Sequence, residues 1–331
     1  MKQIKLLLLI GVTVFTSCRN NSNKNVATET ITLADASVVW WMAPSIVAQE
    51  DSLYSKNSLN VESFDVQTGL ASMNAVISGF ADIGLVATTP LAMAAFKKEN
   101  LLILGSYIES NYLLALINQR SRADSIIQLP TEPIALVKGT ISELYYYRFM
   151  QKHFPNLNLR NINQLNIKPP DVPNSMKTGS AKSTVIWEPF VTIVADQNSE
   201  LEVIRDSDIY TMRLYIVTKP ETLEKKREAI NRFVKSIVDA CQKLKSNPGS
   251  KEVVLKTFPT NESSMNKLWD KVYFEMKYDY DNMKDILIKE AQTLYELGYT
   301  PKDDDGNLRK LTIDDINHYF NHSFKLSNND N

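Results

Sequence analysis

The first half of the chain switches repeatedly between strand-like and helix-like patterning, and that alternation narrows the fold more than any other feature. Ile31–Trp41 (ITLADASVVWW) is rich in β-branched and aromatic residues, and Pro44 follows where a helix can begin. Leu59–Phe64 reads as a second strand, and Thr68-Gly69 then precedes a helix with Leu70, Met73, Val76 and Ile77 on one side. Asp82–Val86 reads as a short buried strand. Thr89 as cap and Pro90 at the first helical position open the next helix, through Phe96. Leu101–Ile108 and Tyr112–Asn118 are further strands. This β-α-β-α-β rhythm predicts an α/β fold with a largely parallel sheet covered by helices on both faces.

A second run of the same kind starts at Ile134–Lys138, after a polar stretch, Gln119–Thr131, that reads as a crossing between lobes. Thr140 and Glu143 have the spacing of a capping box at the start of a helix. Ile162–Ile167, Ser183–Trp187 and Leu201–Ile204 complete the second lobe as strands, and Tyr210–Thr218 returns to the first. From Pro220 onward the pattern is helical: Thr222–Leu244, Lys251–Phe258, Glu262–Tyr278 and Met283–Leu297, with Gly298 as the stop. The predicted units are 31–118 with 212–331 as lobe 1 and its C-terminal helices, and 119–211 as lobe 2. Two lobes also suit the nearly 300 residues available between Ile31 and Phe324.

Residues 1–18, MKQIKLLLLIGVTVFTSC, carry Lys2 and Lys5 ahead of an apolar run from Leu6 to Phe15. As a helix that run spans about 15 Å, half of a hydrocarbon core of roughly 30 Å, so it reads as an export signal and not as a membrane span. Cys18 directly after small residues resembles a bacterial lipoprotein signal, in which the cysteine is acylated and anchors the chain. The polar residues 19–30 read as a flexible tether, and Ser327–Asn331 as disordered.

With 37 basic and 38 acidic residues well mixed along the chain, no basic field exists for nucleic acid. Of the two cysteines, Cys241 sits at helical spacing with Val234, Ile237 and Val238 and reads as a buried, inert thiol. His318 and His322 are four apart, but no further ligand pair joins them, so they read as solvated surface. No metal and no cofactor is expected.

Five runs appear in order: SVVWWMAPSIVAQEDSLY, SGFADIGLVATTPLAMAAF, ALVKGTISELYYYRFM, VIWEPFVTIVAD and VTKPETLEKKREAINRFVKSIVDA. Over Ile31–Leu244 they resemble the substrate-binding proteins of ABC importers for nitrate, sulfonates, taurine and thiamine-type pyrimidines. The resemblance implies a two-lobed periplasmic-binding-protein type II fold that closes on a small molecule. It also implies partners: an ABC permease with its ATPase, a membrane reached through the anchor on Cys18, and a monomeric chain on the outer side of the cell membrane.

In such sheets ligands sit beyond the carboxyl ends of strands, where helix N-termini point free N–H groups outward. Trp40–Pro44, Gln67–Gly69, Thr88–Pro90 and Gly139–Ser142 fit that description, and the resemblance adds Trp187-Glu188-Pro189. The candidate ligand contacts are therefore Trp40, Trp41, Thr68, Thr88, Thr89, Thr140, Ser142, Trp187 and Glu188; no residue is assigned a catalytic role. Trp40 and Trp41 would face opposite ways in a strand, one packing in the core and the other walling the cleft or packing under a loop. Glu188 either meets ligand or complements a helix N-terminus. Of Tyr145, Tyr146 and Tyr147, consecutive on a helix, at least one should be exposed or touch ligand.

Two departures from the family pattern stand out: Glu143 in the first turn of a helix expected to hold an anion, and Ala181-Lys182 where an acidic residue is usual. With the tryptophans and two carboxylates, Glu143 and Glu188, the expectation leans to a planar or amine-bearing solute. The competing functions are a pyrimidine-synthase-like enzyme of thiamine biosynthesis, which needs a cysteine cluster that two cysteines cannot supply, and a ligand-presenting sensor.

Overall fold

The computed structural model describes residues 28–36, 39–119, 133–158, 163–303 and 305–320. The signal, Cys18 and nearly all of the tether lie outside the described residues, as do most of 119–131 and Ser327–Asn331.

Eleven strands among the described residues form two sheets. The first contains β1 (Glu29–Asp35), β2 (Leu59–Asp65), β3 (Ile83–Ala87), β4 (Leu102–Ser110), β10 (Met212–Thr218) and β11 (Tyr273–Lys277) in the order β11-β4-β10-β3-β1-β2. The second contains β5 (Leu114–Gln119), β6 (Ile134–Leu136), β7 (Gln164–Asn166), β8 (Ser183–Trp187) and β9 (Leu201–Ile204) in the order β7-β6-β8-β5-β9. The helices are α1 (Ala43–Glu50), α2 (Leu53–Lys56), α3 (Gly69–Ser78), α4 (Thr88–Phe96), α5 (Ile141–His153), α6 (Val172–Thr178), α7 (Phe190–Gln197), α8 (Pro220–Lys225), α9 (Arg227–Ser246), α10 (Ser250–Thr257), α11 (Glu262–Leu268), α12 (Tyr280–Glu296) and α13 (Ile313–Ile316).

The sheets are mixed where mostly parallel ones were expected. β1 pairs in parallel with β2 and β3, and β6 with β7 and β8. However, β10 lies antiparallel between β3 and β4, and β5 antiparallel between β8 and β9. The reason is the path of the chain. A βα unit ends its strand at the cleft, whereas a strand entering a lobe from the other one begins there and must run the opposite way.

That path also moves the first lobe boundary. β5 belongs to the second sheet, so the chain crosses between Ser110 and Leu114, ahead of the expected Gln119–Thr131. The return crossing lies between Ile204 and Met212, where the sequence places it. A further difference is Tyr273–Lys277, expected as helix, which forms β11 and pairs with β4, whose outer side would otherwise be an open edge. Its β-branched and aromatic lead, Val272-Tyr273-Phe274, buries Val272 and Phe274 while covering that edge.

The core sits between the sheets and their helices. α9 presents Ile230, Phe233, Val234, Ile237, Cys241 and Leu244 on one buried stripe, and Phe233 stacks on Tyr54 at 5.6 Å. Burial pushes the Cys241 thiol up to about 12, so no thiolate forms near neutral pH. Among the described residues no helix is long and apolar enough to cross a membrane.

Candidate functional site

β1 and β3 of one lobe and β6 and β8 of the other end at the same cleft. The turn after β1, which the sequence reads as strand, is a 3-10 turn over Trp40–Met42. Both indoles are buried, but they do different things. Trp40 stacks on Trp269 at 5.8 Å and donates from Nε1 to Ser264 Oγ at 2.8 Å, so it belongs to the core. Trp41 lines the cleft and donates from Nε1 to the main-chain oxygen of Glu188 at 2.7 Å, bridging the lobes.

Two helix N-termini enter the cleft, one from each lobe. Thr68 caps α3 by accepting from Ala71 N–H at 3.1 Å, which leaves its own hydroxyl hydrogen for an acceptor in the cleft. The first N–H groups of α3, on Gly69 and Leu70, have no intrahelical partner. Glycine at position 69 lets α3 approach β3 closely: a Cβ there would stand 3.2 Å from Ala87 N and 3.4 Å from Val86 Cα. Facing it, Thr140 caps α5, accepting from Ser142 N–H at 3.2 Å and donating to Val137 O at 2.7 Å. Gly139, at φ +72°, makes the turn into that helix.

Between these termini lies an apolar chamber, lined from both lobes and open to solvent on one side. Trp41, Met42, Leu70 and Leu85 wall it from the first lobe, Met212 and Leu214 of β10 floor it, and Ile141 and Trp187 close it from the second. Gln67, Thr68 and Thr140 are its polar side chains, and no described lining residue is charged.

Of the nine expected contacts, the structure brings Trp41, Thr68, Thr140 and Trp187 together around this chamber. The other five lie behind it. Ser142 Oγ donates to Val185 O at 2.5 Å and accepts from Val137 N–H at 3.3 Å, tying α5 to two strands. Thr89 donates to Glu290 Oε1 at 2.5 Å. Thr88 is buried beside Tyr210 and Tyr215, and α4 starts at Thr88 with Ala87 as its cap, so Thr89 caps nothing and Pro90 stands third in the helix. Trp40 is in the core, as above. Glu188 is fully buried: its carboxylate pairs with Arg205 and accepts from Thr192 N–H at 3.1 Å and Ser264 Oγ at 3.0 Å. Its second expected role, at the start of α7, is the one its geometry fits.

Glu143 is not among the chamber's lining residues. Its carboxylate accepts from Gly139 N–H at 2.9 Å, one residue before the cap, so the expected box with Thr140 does not close. The three consecutive tyrosines are all buried, against the expectation that one would be exposed or at the ligand. The C-terminal segment covers the remaining face of α5, where Tyr147 and Tyr299 hydroxyls meet at 2.6 Å. Leu70, Met212 and Leu214 lie outside the segments expected at the cleft, and Met42 and Gln67 lie inside them without being singled out. Gln67 was legible as the neighbour of a helix start, whereas the β10 residues reach the cleft only because a returning strand lies in the sheet.

The sequence profile of the family described as NMT1/THI5 like matches residues 41–251. The chain belongs to that family. The match starts at Trp41 and includes both helix N-termini, Trp187 and the β10 floor. Within the wider set of relatives, the chain is 26% identical to the taurine-binding periplasmic protein of Escherichia coli (strain K12), over 68% of this chain and 69% of that one. It is 21% identical to a binding protein of Brucella abortus (strain 2308), over 63% of this chain and 65% of that one. In fold, this NMT1/THI5-like chain is similar to the alkanesulfonate-binding protein SsuA from Xanthomonas axonopodis pv. citri bound to MOPS. The TM-score is 0.70 at 13% identity, over 84% of this chain and 96% of that one.

Proposed function

We propose that this chain is the solute-binding component of an ABC importer. It captures a small molecule between two closing lobes and hands it to a membrane permease with its ATPase. The observation that carries this reading is the convergence of two capped helix N-termini, α3 and α5, on an apolar chamber shared by both lobes. Such termini hold a negative or strongly polar head, and the chamber takes an apolar body. Taurine and sulfonate binding among the relatives points to the same chemistry. Neither carboxylate invoked for an amine-bearing solute lines the chamber: Glu188 is buried against Arg205, and one Glu143 oxygen accepts from Gly139 N–H at the start of α5.

The chain acts by binding and release, not by turnover. It works as a monomer outside the cell membrane, exported by its leader and held by lipid on Cys18, with residues 19–30 as tether. A thermal-shift panel of alkane- and arene-sulfonates, taurine, nitrate, pyrimidines and aromatic acids tests the reading. A true ligand at about 100 times its dissociation constant adds roughly 2.7 kcal/mol to stability. Failure of the whole panel, or conversion of any member to product, contradicts it.

A further inference from the structure

The family match ends at residue 251, yet two helices beyond it, α11 and α12, touch both lobes. Glu290 of α12 is the hub. Its carboxylate, on a residue only 2% exposed, accepts from Thr89 Oγ1 of the first lobe at 2.5 Å and from Tyr210 OH of the return crossing at 3.1 Å. It also pairs with Arg148 of the second lobe at 3.3 Å, and the Arg148 guanidinium lies 5.3 Å from the centre of the Tyr210 ring. Further along the same flank, Gln151 Nε2 donates to Glu296 at 3.4 Å and Tyr147 meets Tyr299. On the other flank, Ser264 of α11 donates to Glu188 of the second lobe.

We infer that residues 262–299 form a strap that holds the two lobes in the closed arrangement before any solute binds. α12 is fixed to the first lobe through α4, so opening the cleft must pull Arg148 away from Glu290. That takes Arg148 out of the hydrogen-bonded cluster around Glu290, which penalises the open form. It also breaks the hydroxyl pair at Tyr299. Closure is then largely built into the chain, and solute binding shifts a population already weighted to the closed side. This inference does not depend on which solute the cleft takes.

Exposed positions in the two lobes allow a direct test. Spin labels at Glu62→Cys and Lys177→Cys, in the full chain carrying Cys18→Ser, report the lobe separation without solute. The strap predicts a distribution dominated by one short distance. Arg148→Met with Tyr299→Phe shifts weight to a second, longer distance. Should that double variant fail to fold, Tyr299→Phe alone, which removes one hydroxyl and keeps the ring, gives the same shift in smaller measure. A chain with the native strap that mainly populates the longer distance overturns the inference. So does an unchanged distribution in the folded variants.

Discussion

The indole N–H of Trp41 reaches across the cleft to the main-chain oxygen of Glu188, 2.7 Å away, so a residue that walls the chamber also joins the lobes. Trp41→Phe keeps an aromatic wall and removes that bond. A hydrogen bond of this kind contributes about 1 kcal/mol. Because the strap keeps the lobes together with or without solute, urea unfolding of the solute-free variant should show that loss of stability, while titration calorimetry with the tightest sulfonate of the panel shows little change in affinity.

Glu188→Gln should act on stability. The Glu188 carboxylate is buried against Arg205, and removing one partner of such a pair costs on the order of 3 kcal/mol. Urea unfolding of the variant should show a lower midpoint with an unchanged slope. A variant as stable as the parent that has lost ligand would place Glu188 at the solute instead.

Asp35, at the end of β1, gives a pH dependence. Burial, with the neighbouring Asp65 charge adding to it, raises its carboxyl from 3.8 to about 7. The folded chain therefore holds a proton that the unfolded chain releases. The stability this group supports is fully present below its unfolded value and is lost as pH rises through about 7. Asp35→Asn should remove that slope, so the difference in unfolding free energy between parent and variant changes by roughly 4 kcal/mol between about pH 4 and about pH 8. Parallel curves for the two proteins would contradict this.

Gly69→Ala tests the close approach of α3 to β3. The added methyl carbon would stand 3.2 Å from Ala87 N, so the helix start must shift. Overpacking of this kind costs roughly 1–3 kcal/mol. Because the shift falls on the N–H groups that face the chamber, affinity should fall by more than stability does, as read from paired calorimetry and urea melts.

Taurine and ethanesulfonate differ by one ammonium group. No charged side chain lines the chamber among the described residues, so the ammonium would be desolvated without a counter-charge. Ethanesulfonate should bind at least as tightly as taurine in competition titrations.

Local signals carried much of this fold. Thr68-Gly69 and Gly139-Thr140 mark two helix starts by cap chemistry alone, and these are the two that enter the cleft. What local patterning cannot carry is partner choice. Tyr112–Asn118 reads as a strand correctly, but nothing in it says that it pairs with β8 in the other sheet. Trp40 and Trp41 look like strand residues because they are bulky, yet they sit in a 3-10 turn, where their indoles donate to Ser264 and Glu188, far along the chain. Glu188 looked like a ligand group because its partner Arg205 is 17 residues away and unremarkable in sequence.

The proposed function rests on α3 and α5 holding a polar head while Trp41 and Trp187 wall an apolar body. Calorimetric titration of a small alkane- or arene-sulfonate into the parent, Thr68→Ala and Trp187→Ala tests it most directly. Saturable binding by the parent, weakened about tenfold or more by Trp187→Ala and severalfold by Thr68→Ala, is the predicted result. Saturable binding of cations or amines in place of sulfonates, or sulfonate binding indifferent to both substitutions, would contradict it.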